Sequence, residues 1–182
     1  DTYMKHADKA AYAQLQIEAP EYATEIEHIT VRFKGLPSVV PLRTLGSAHL
    51  GNLAMVEGII VRASPVNPMV TKAAFKCKRC ENIQYVDQTT PFLRTPLACA
   101  DPTCKNKTFD FVQEESTFID FQRVRIQERP EDLPPGQLPR WLNIQLAGRD
   151  LADIARPGDH VAVVGVVRAI APTLPGLGKS RI

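Results

Sequence analysis

The sequence predicts a mainly β fold: a small curled sheet of five strands with a cysteine-bearing insertion between the second and the third. Three observations carry this. Apolar residues recur with period two, or in short unbroken runs, at five places along the 182 residues. Fifteen prolines and ten glycines punctuate the chain, as many turns and strand ends require. All four cysteines fall between positions 77 and 104.

Taken in order, residues 3–16 read as a short amphipathic helix, with Met4, Ala7, Ala11 and Leu15 at helical spacing. Thr2 is placed to cap it, and Pro20 bars its continuation. From Ile29 the period becomes two: Ile29, Val31 and Phe33 alternate with Thr30, Arg32 and Lys34, giving a first strand that Gly35-Leu36-Pro37 stops. Leu53 to Arg62 is a nearly continuous apolar strand with Gly58 inside it, the residue that marks a bulge or a tight bend. Residues 116–128 form the third strand, and Trp141 to Ala147 the fourth, with Leu142, Ile144 and Leu146 on one face. Asp150 to Ala155 fits one helical turn; Arg156-Pro157-Gly158-Asp159 is a turn feeding the last strand, His160 to Arg168. The Pro-rich piece from Arg129 to Pro139 is a long connection between strands. Five short strands with a bend-forming glycine fit a barrel of the oligonucleotide-binding (OB) type. The plainer alternative is a generic five-stranded β domain without a ligand.

Composition narrows the class. Apolar residues at 44% and charged residues at 23% belong to a globular protein, not a disordered one. Twenty-two Lys and Arg against 20 Asp and Glu leave a charge of +2, so a polyanion-binding face must come from local clustering. The apolar stretch near Val161 to Val167 is far short of a membrane span, so no membrane partner is expected. The polar start Asp1-Thr2-Tyr3-Met4-Lys5 does not read as a signal peptide, and Asp1 in place of Met reads as a piece of a longer chain.

The cysteines form two close pairs, Cys77-x2-Cys80 and Cys99-x4-Cys104, with 18 residues between them. Two thiolates at such spacing sit on one knuckle, and two facing knuckles make a closed tetrahedral site for zinc. Gln84-Tyr85-Val86 and Phe92-Leu93-Arg94 read as strands of the ribbon between them. Residues 72–107 hold too few large apolar side chains to offset the entropy of ordering them, whereas a structural zinc contributes ~10–16 kcal/mol. The alternatives are two disulfides or a dithiol redox centre. Four cysteines leave no open coordination position, so the expected metal is structural, not catalytic.

Period two in the strand 116–128 puts Phe121, Arg123 and Arg125 on one face and Val124 and Ile126 on the other. Guanidinium groups beside an aromatic ring suit a single strand of nucleic acid, cation to phosphate and base to ring. Arg62, ending the preceding strand, is expected close by. The competing reading pairs these arginines with Glu128 or Asp120 as ordinary surface charge. The ribbon is basic too: Lys72, Lys76, Lys78, Arg79, Arg94, Lys105 and Lys107 outnumber Glu81, Asp87 and Asp101. Near the end, Gly176-Leu177-Gly178-Lys179-Ser180 imitates a phosphate loop, but Thr173 stands where its first glycine belongs. It reads instead as a hairpin tip, with Pro175-Gly176 at the turn. His6, His28, His49 and His160 are scattered, with no nucleophile at motif spacing. No active site is expected.

Several blocks together resemble the N-terminal region of the minichromosome maintenance (MCM) replicative helicases, in its archaeal form. They are Leu42-Arg43-Thr44-Leu45, His49-Leu50-Gly51-Asn52-Leu53, Val56 to Arg62, Phe121 to Glu131, Pro134 to Arg140, and Arg156-Pro157-Gly158-Asp159. The resemblance implies the end of a helical subdomain at 1–25, an OB barrel at 26–70 and 115–182, and a zinc ribbon at 71–114. A C-terminal β-hairpin would begin within about 168–182. It implies a collar that binds single-stranded, and also double-stranded, DNA through Arg62, Arg123 and Arg125, with Lys179 and Arg181 on the hairpin. It implies homo-hexamers or double hexamers joined ribbon to ribbon, contacts with other replication-initiation proteins, and a loop, Glu128 to Arg140, that signals to a motor. ATP and magnesium would belong to that missing motor, and the location would be the archaeal cytoplasm and nucleoid, or a nucleus. Two other readings stay open: a module that binds structured RNA, and a pure assembly scaffold.

Overall fold

The computed structural model describes residues 2–25, 29–88 and 93–169. Lys179, Arg181, the expected hairpin and its Pro175-Gly176 tip lie outside the described residues. Helix α1 (Thr2–Glu18) and helix α2 (Pro20–Glu25) meet at Ala19, because the residue before a proline is pushed out of helical geometry. The Tyr12 hydroxyl donates to the Ala23 carbonyl at 3.2 Å, folding α2 back onto α1 over the buried Ala23.

Six strands follow: β1 (Leu53–Ala63), β2 (Asn67–Cys77), β3 (Ile83–Asp87), β4 (Phe109–Gln127), β5 (Trp141–Ala147) and β6 (His160–Val166). All pairings are antiparallel. The order is β3-β2-β4-β1-β6, with β5 on β4, one open sheet among the described residues. The 19-residue β4 is the spine. Its first part pairs with β2, and its last part lies between β1 and β5. Both β2 and β4 run without a break across the positions, 70/71 and 114/115, where ribbon and barrel are expected to divide.

Several expectations need correcting, and Asp150 to Ala155 forms turns and a bend in place of a helical turn. Ile29 to Lys34 forms no strand despite its alternation. The Val31 amide donates to Asp8 of α1 at 2.7 Å, and Arg32 reaches Asp150 and the Ala147 carbonyl. This segment therefore ties the helices to the sheet. In the insertion, Gln84 to Val86 lie in β3 as expected, but Leu93 and Arg94 are irregular (Phe92 lies outside the described residues), and β3 pairs with β2 instead.

Apolar side chains from β1, β4, β5 and β6 converge on one core. Leu42, Val56, Ile60 and Ile126 are buried at its centre, with Leu142, Ile144, Val161 and Val163 packed against them. Each such burial contributes about 1.5–3 kcal/mol. The bulge expected at Gly58 falls instead between Ile60 and Arg62. Gly58 serves close approach: a Cβ there would stand 2.5 Å from the Gln127 carbonyl oxygen. The turn Arg156 to Asp159 forms as read. Gly158 has φ 101° and the Asp159 carboxylate accepts the Arg156 amide at 2.7 Å.

Candidate functional site

The two cysteine pairs sit on matching knuckles. Cys77 ends β2 and Cys80 lies in the turn after it, while Cys99 and Cys104 lie in the loop before β4. In each knuckle the residue after the second cysteine takes a left-handed conformation, Glu81 at φ 59° and Lys105 at φ 49°. In each, the amide of the first cysteine donates to the residue beyond, Cys77 to the Asn82 carbonyl and Cys99 to the Asn106 carbonyl, both at 2.9 Å. The same local geometry, used twice, brings four sulfurs together.

All four are free thiols whose sulfurs lie within 4.8 Å of one another. Two pairs cross between knuckles, Cys77 to Cys104 at 3.8 Å and Cys80 to Cys99 at 3.5 Å. Zinc–sulfur bonds of about 2.3 Å in a tetrahedron space the sulfurs at about 3.8 Å. The four cysteines therefore lie close enough to bind a metal ion, and their spacing fits zinc. The Cys80 amide and the Asn106 side chain lower the Cys77 thiol to about 6. The Asp101 amide pulls Cys99 the same way, but burial and the Cys80 and Cys77 sulfurs outweigh it and push it up to about 12. For Cys104, burial and the same two sulfurs outweigh the Asn106 amide, and its thiol is also raised. One thiolate thus opposes the next, and a divalent cation among them removes that opposition. Asn106 also donates to the Cys77 sulfur at 3.3 Å and so orients it.

The basic residues around this centre are partly engaged nearby. Lys76 pairs with Glu81 at 2.9 Å, Lys78 with Asp110 at 2.8 Å, and Arg79 donates to the Cys104 carbonyl. Lys72 lies 5.0 Å over the Tyr85 ring.

The second feature is on the outer face of β4. Gln122, Val124 and Ile126 are buried, while Phe121, Arg123 and Arg125 face outward. Ladder register sets Arg62 of β1 directly across from Arg125. Among the described residues, none of the three arginines pairs with a carboxylate. Glu128 is taken by Arg43. Arg123 lies 5.5 Å from the centre of the Phe121 ring and Arg125 4.2 Å from that of Trp141. Arg125 Nε also donates to Asn143 at 3.0 Å. Trp141, the one tryptophan in the chain, is 57% exposed. Sequence reading missed its part here, because only the β4–β5 register brings Trp141 opposite Gln127 and beside Arg125.

Fold and site thus define a class, a β domain carrying a four-cysteine centre and an outward arginine face. The family model of the MCM OB domain matches residues 41–171, and the chain belongs to the MCM family. A minichromosome maintenance protein of the archaeon Saccharolobus solfataricus is 40% identical over 84% of this chain and 23% of its own length. The probable DNA helicase MCM8 of Arabidopsis thaliana is 38% identical over 84% of this chain and 20% of its own. The DNA replication licensing factor MCM6 of Oryza sativa is 37% identical over 81% and 18%. This chain spans about a fifth of these relatives. Archaeal and plant proteins are similar to it in nearly equal degree, so the likeness is to the family at large.

Proposed function

We propose that this chain is the N-terminal collar of a hexameric replicative helicase, gripping single-stranded DNA in the ring channel during initiation and unwinding. The observation that carries the reading is the outward cluster of Arg62, Arg123 and Arg125, free of carboxylates among the described residues and seated beside Phe121 and Trp141. Guanidinium groups take phosphates and the rings take bases, a grip that tolerates any sequence. The strands β1, β4, β5 and β6 curl into an OB-type barrel around the core, and the insertion is a ribbon closed by one structural zinc. When bound, zinc supplies charge neutralisation and a crosslink. Cys77, Cys80, Cys99 and Cys104 hold it, and Asn106 orients Cys77. We assign no catalytic step to this chain; ATP hydrolysis with magnesium belongs to a motor elsewhere in a longer protein. Rings pair into double hexamers, engage other initiation proteins and act in the nucleoid or nucleus.

Fluorescence anisotropy of a labelled oligo(dT) across a salt series tests the grip. Neutralising three phosphates gives a log–log salt slope of about −2, and five, with Lys179 and Arg181, about −3.5. Arg123→Ala with Arg125→Ala weakens all sequences alike. An RNA duplex that outcompetes oligo(dT) would favour the structured-RNA module. Hexamers on gel filtration without DNA binding would leave an assembly scaffold.

A further inference from the structure

The strands β4 and β5 are joined by residues 128–140, and the neck of this connection is closed by Glu128 and Arg140. Their backbones are linked by the Glu128 amide donating to the Arg140 carbonyl at 3.0 Å. Glu128 is only 6% exposed, and its side chain accepts the Arg140 amide on Oε2 at 2.9 Å. Its other oxygen lies 3.0 Å from Arg43 Nε, a charge contact without the alignment of a hydrogen bond. Arg43 also donates to Gln137 in the connection, and Arg140 Nη1 returns to the Arg43 carbonyl at 3.1 Å. The next residue after Arg140 is Trp141, the ring beside Arg125.

A buried carboxylate with both oxygens engaged has one position. We infer that Glu128, held by Arg43, is a positioning residue: it fixes the Arg140 backbone so that Trp141 stays beside Arg125, and so links the 129–139 connection to the arginine face. Its consequence for DNA rests on the function proposed above. Displacing Gln137 or the connection around it pulls on Arg43, which moves Glu128 and Trp141 together. The coupling runs through charge pairs and one backbone amide, a contiguous path of few parts.

The test separates the two claims. In the 182-residue chain, the single indole N–H resonance and the ring-shifted Nε–H resonance of Arg125 are followed by NMR without DNA. Glu128→Ala should move both, the Arg125 signal towards its ordinary position, while Glu128→Gln, which keeps an acceptor for the Arg140 amide, should move them less. Arg129→Ala, which breaks the pairs with Asp132 and Glu57 but none of the contacts of Arg43 or Arg140, is the control that leaves them in place. In parallel, the oligo(dT) salt slope should fall by about 0.7 in Glu128→Ala, the share of a single phosphate. If Glu128→Ala does not fold, Glu128→Gln decides alone by moving both signals in that direction. Unmoved signals in the folded variants overturn the positioning role, whatever the DNA result. A wild-type chain that ignores oligo(dT) overturns the proposed function while the resonances still judge the positioning.

Discussion

Arg62 and Arg125 face each other across the β1–β4 ladder, two like charges in register on neighbouring strands. Stability alone disfavours the arrangement, since opposite charges in such a pair contribute about 0.2–1 kcal/mol and like charges cost stability. Arg62→Glu should therefore raise thermal stability by up to about 1 kcal/mol, yet lower oligo(dT) affinity and reduce the salt slope by at least about 0.7. Thermal unfolding and anisotropy on the same preparation check both signs. A variant that gains stability and keeps full affinity would remove Arg62 from the DNA face.

Metal removal should act on one lobe. Elemental analysis is expected to find one zinc per chain, and a strong chelator, or Cys77→Ser, should release it. Hydrogen exchange should then speed up at Ala73 to Cys77 while Val56, Ile60 and Ile126 stay protected, because the latter lie in a core without cysteine. A compact lobe that never holds a metal would leave residues 72–107 without enough apolar burial to account for their order.

The glycine in β1 carries a steric demand. Gly58→Ala places a methyl group 2.5 Å from the Gln127 carbonyl oxygen, and since that neighbour is backbone, the strands must separate. We expect destabilisation of ~1–3 kcal/mol in denaturant unfolding. The substitution Gly165→Ala, where the space is open, serves as the comparison and should cost less.

The tie between helices and sheet should be acid-sensitive. Arg32 donates to both Asp150 oxygens, at 2.9 and 3.1 Å, and holds that carboxyl below its ordinary range. A depressed folded value contributes stability above the unfolded value of about 3.9 and loses it as pH falls through the lower folded one. Both side chains are well exposed, so solvent screening keeps the effect below about 1 kcal/mol. Arg32→Ala should therefore be less stable than wild type above pH ~5 and converge with it under strong acid.

Much of this molecule was legible in its residues because much of it is local. Ligand spacing identified the cysteine quartet, since a knuckle closes within four to six residues, and the distances then agreed with a metal site. Alternation placed Arg123 and Arg125 opposite Val124 and Ile126, because a strand's two faces follow from its pleat. The helix stop before Pro20 and the turn at Gly158 are single-residue backbone effects. Other features had no local signal. Strand β2 begins with Asn67-Pro68 and carries Ala73-Ala74, residues of low strand propensity, and it forms because β3 and β4 offer ladders on both sides. Ile29 to Lys34 has the pattern of a strand but no partner, since its amide and its arginine are taken by Asp8 and Asp150.

The sequence by itself determined which cysteines share a knuckle, which side of β4 and β5 faces the core, and where the chain must turn. Only the tertiary structure decided which strands pair and in what register, and with that the meeting of Arg62 with Arg125, Trp141 with Arg125, and Arg43 with Glu128. The reason is physical: periodicity records a residue's own burial, whereas register is chosen by the free energy of the whole sheet, after distant segments have closed on one another.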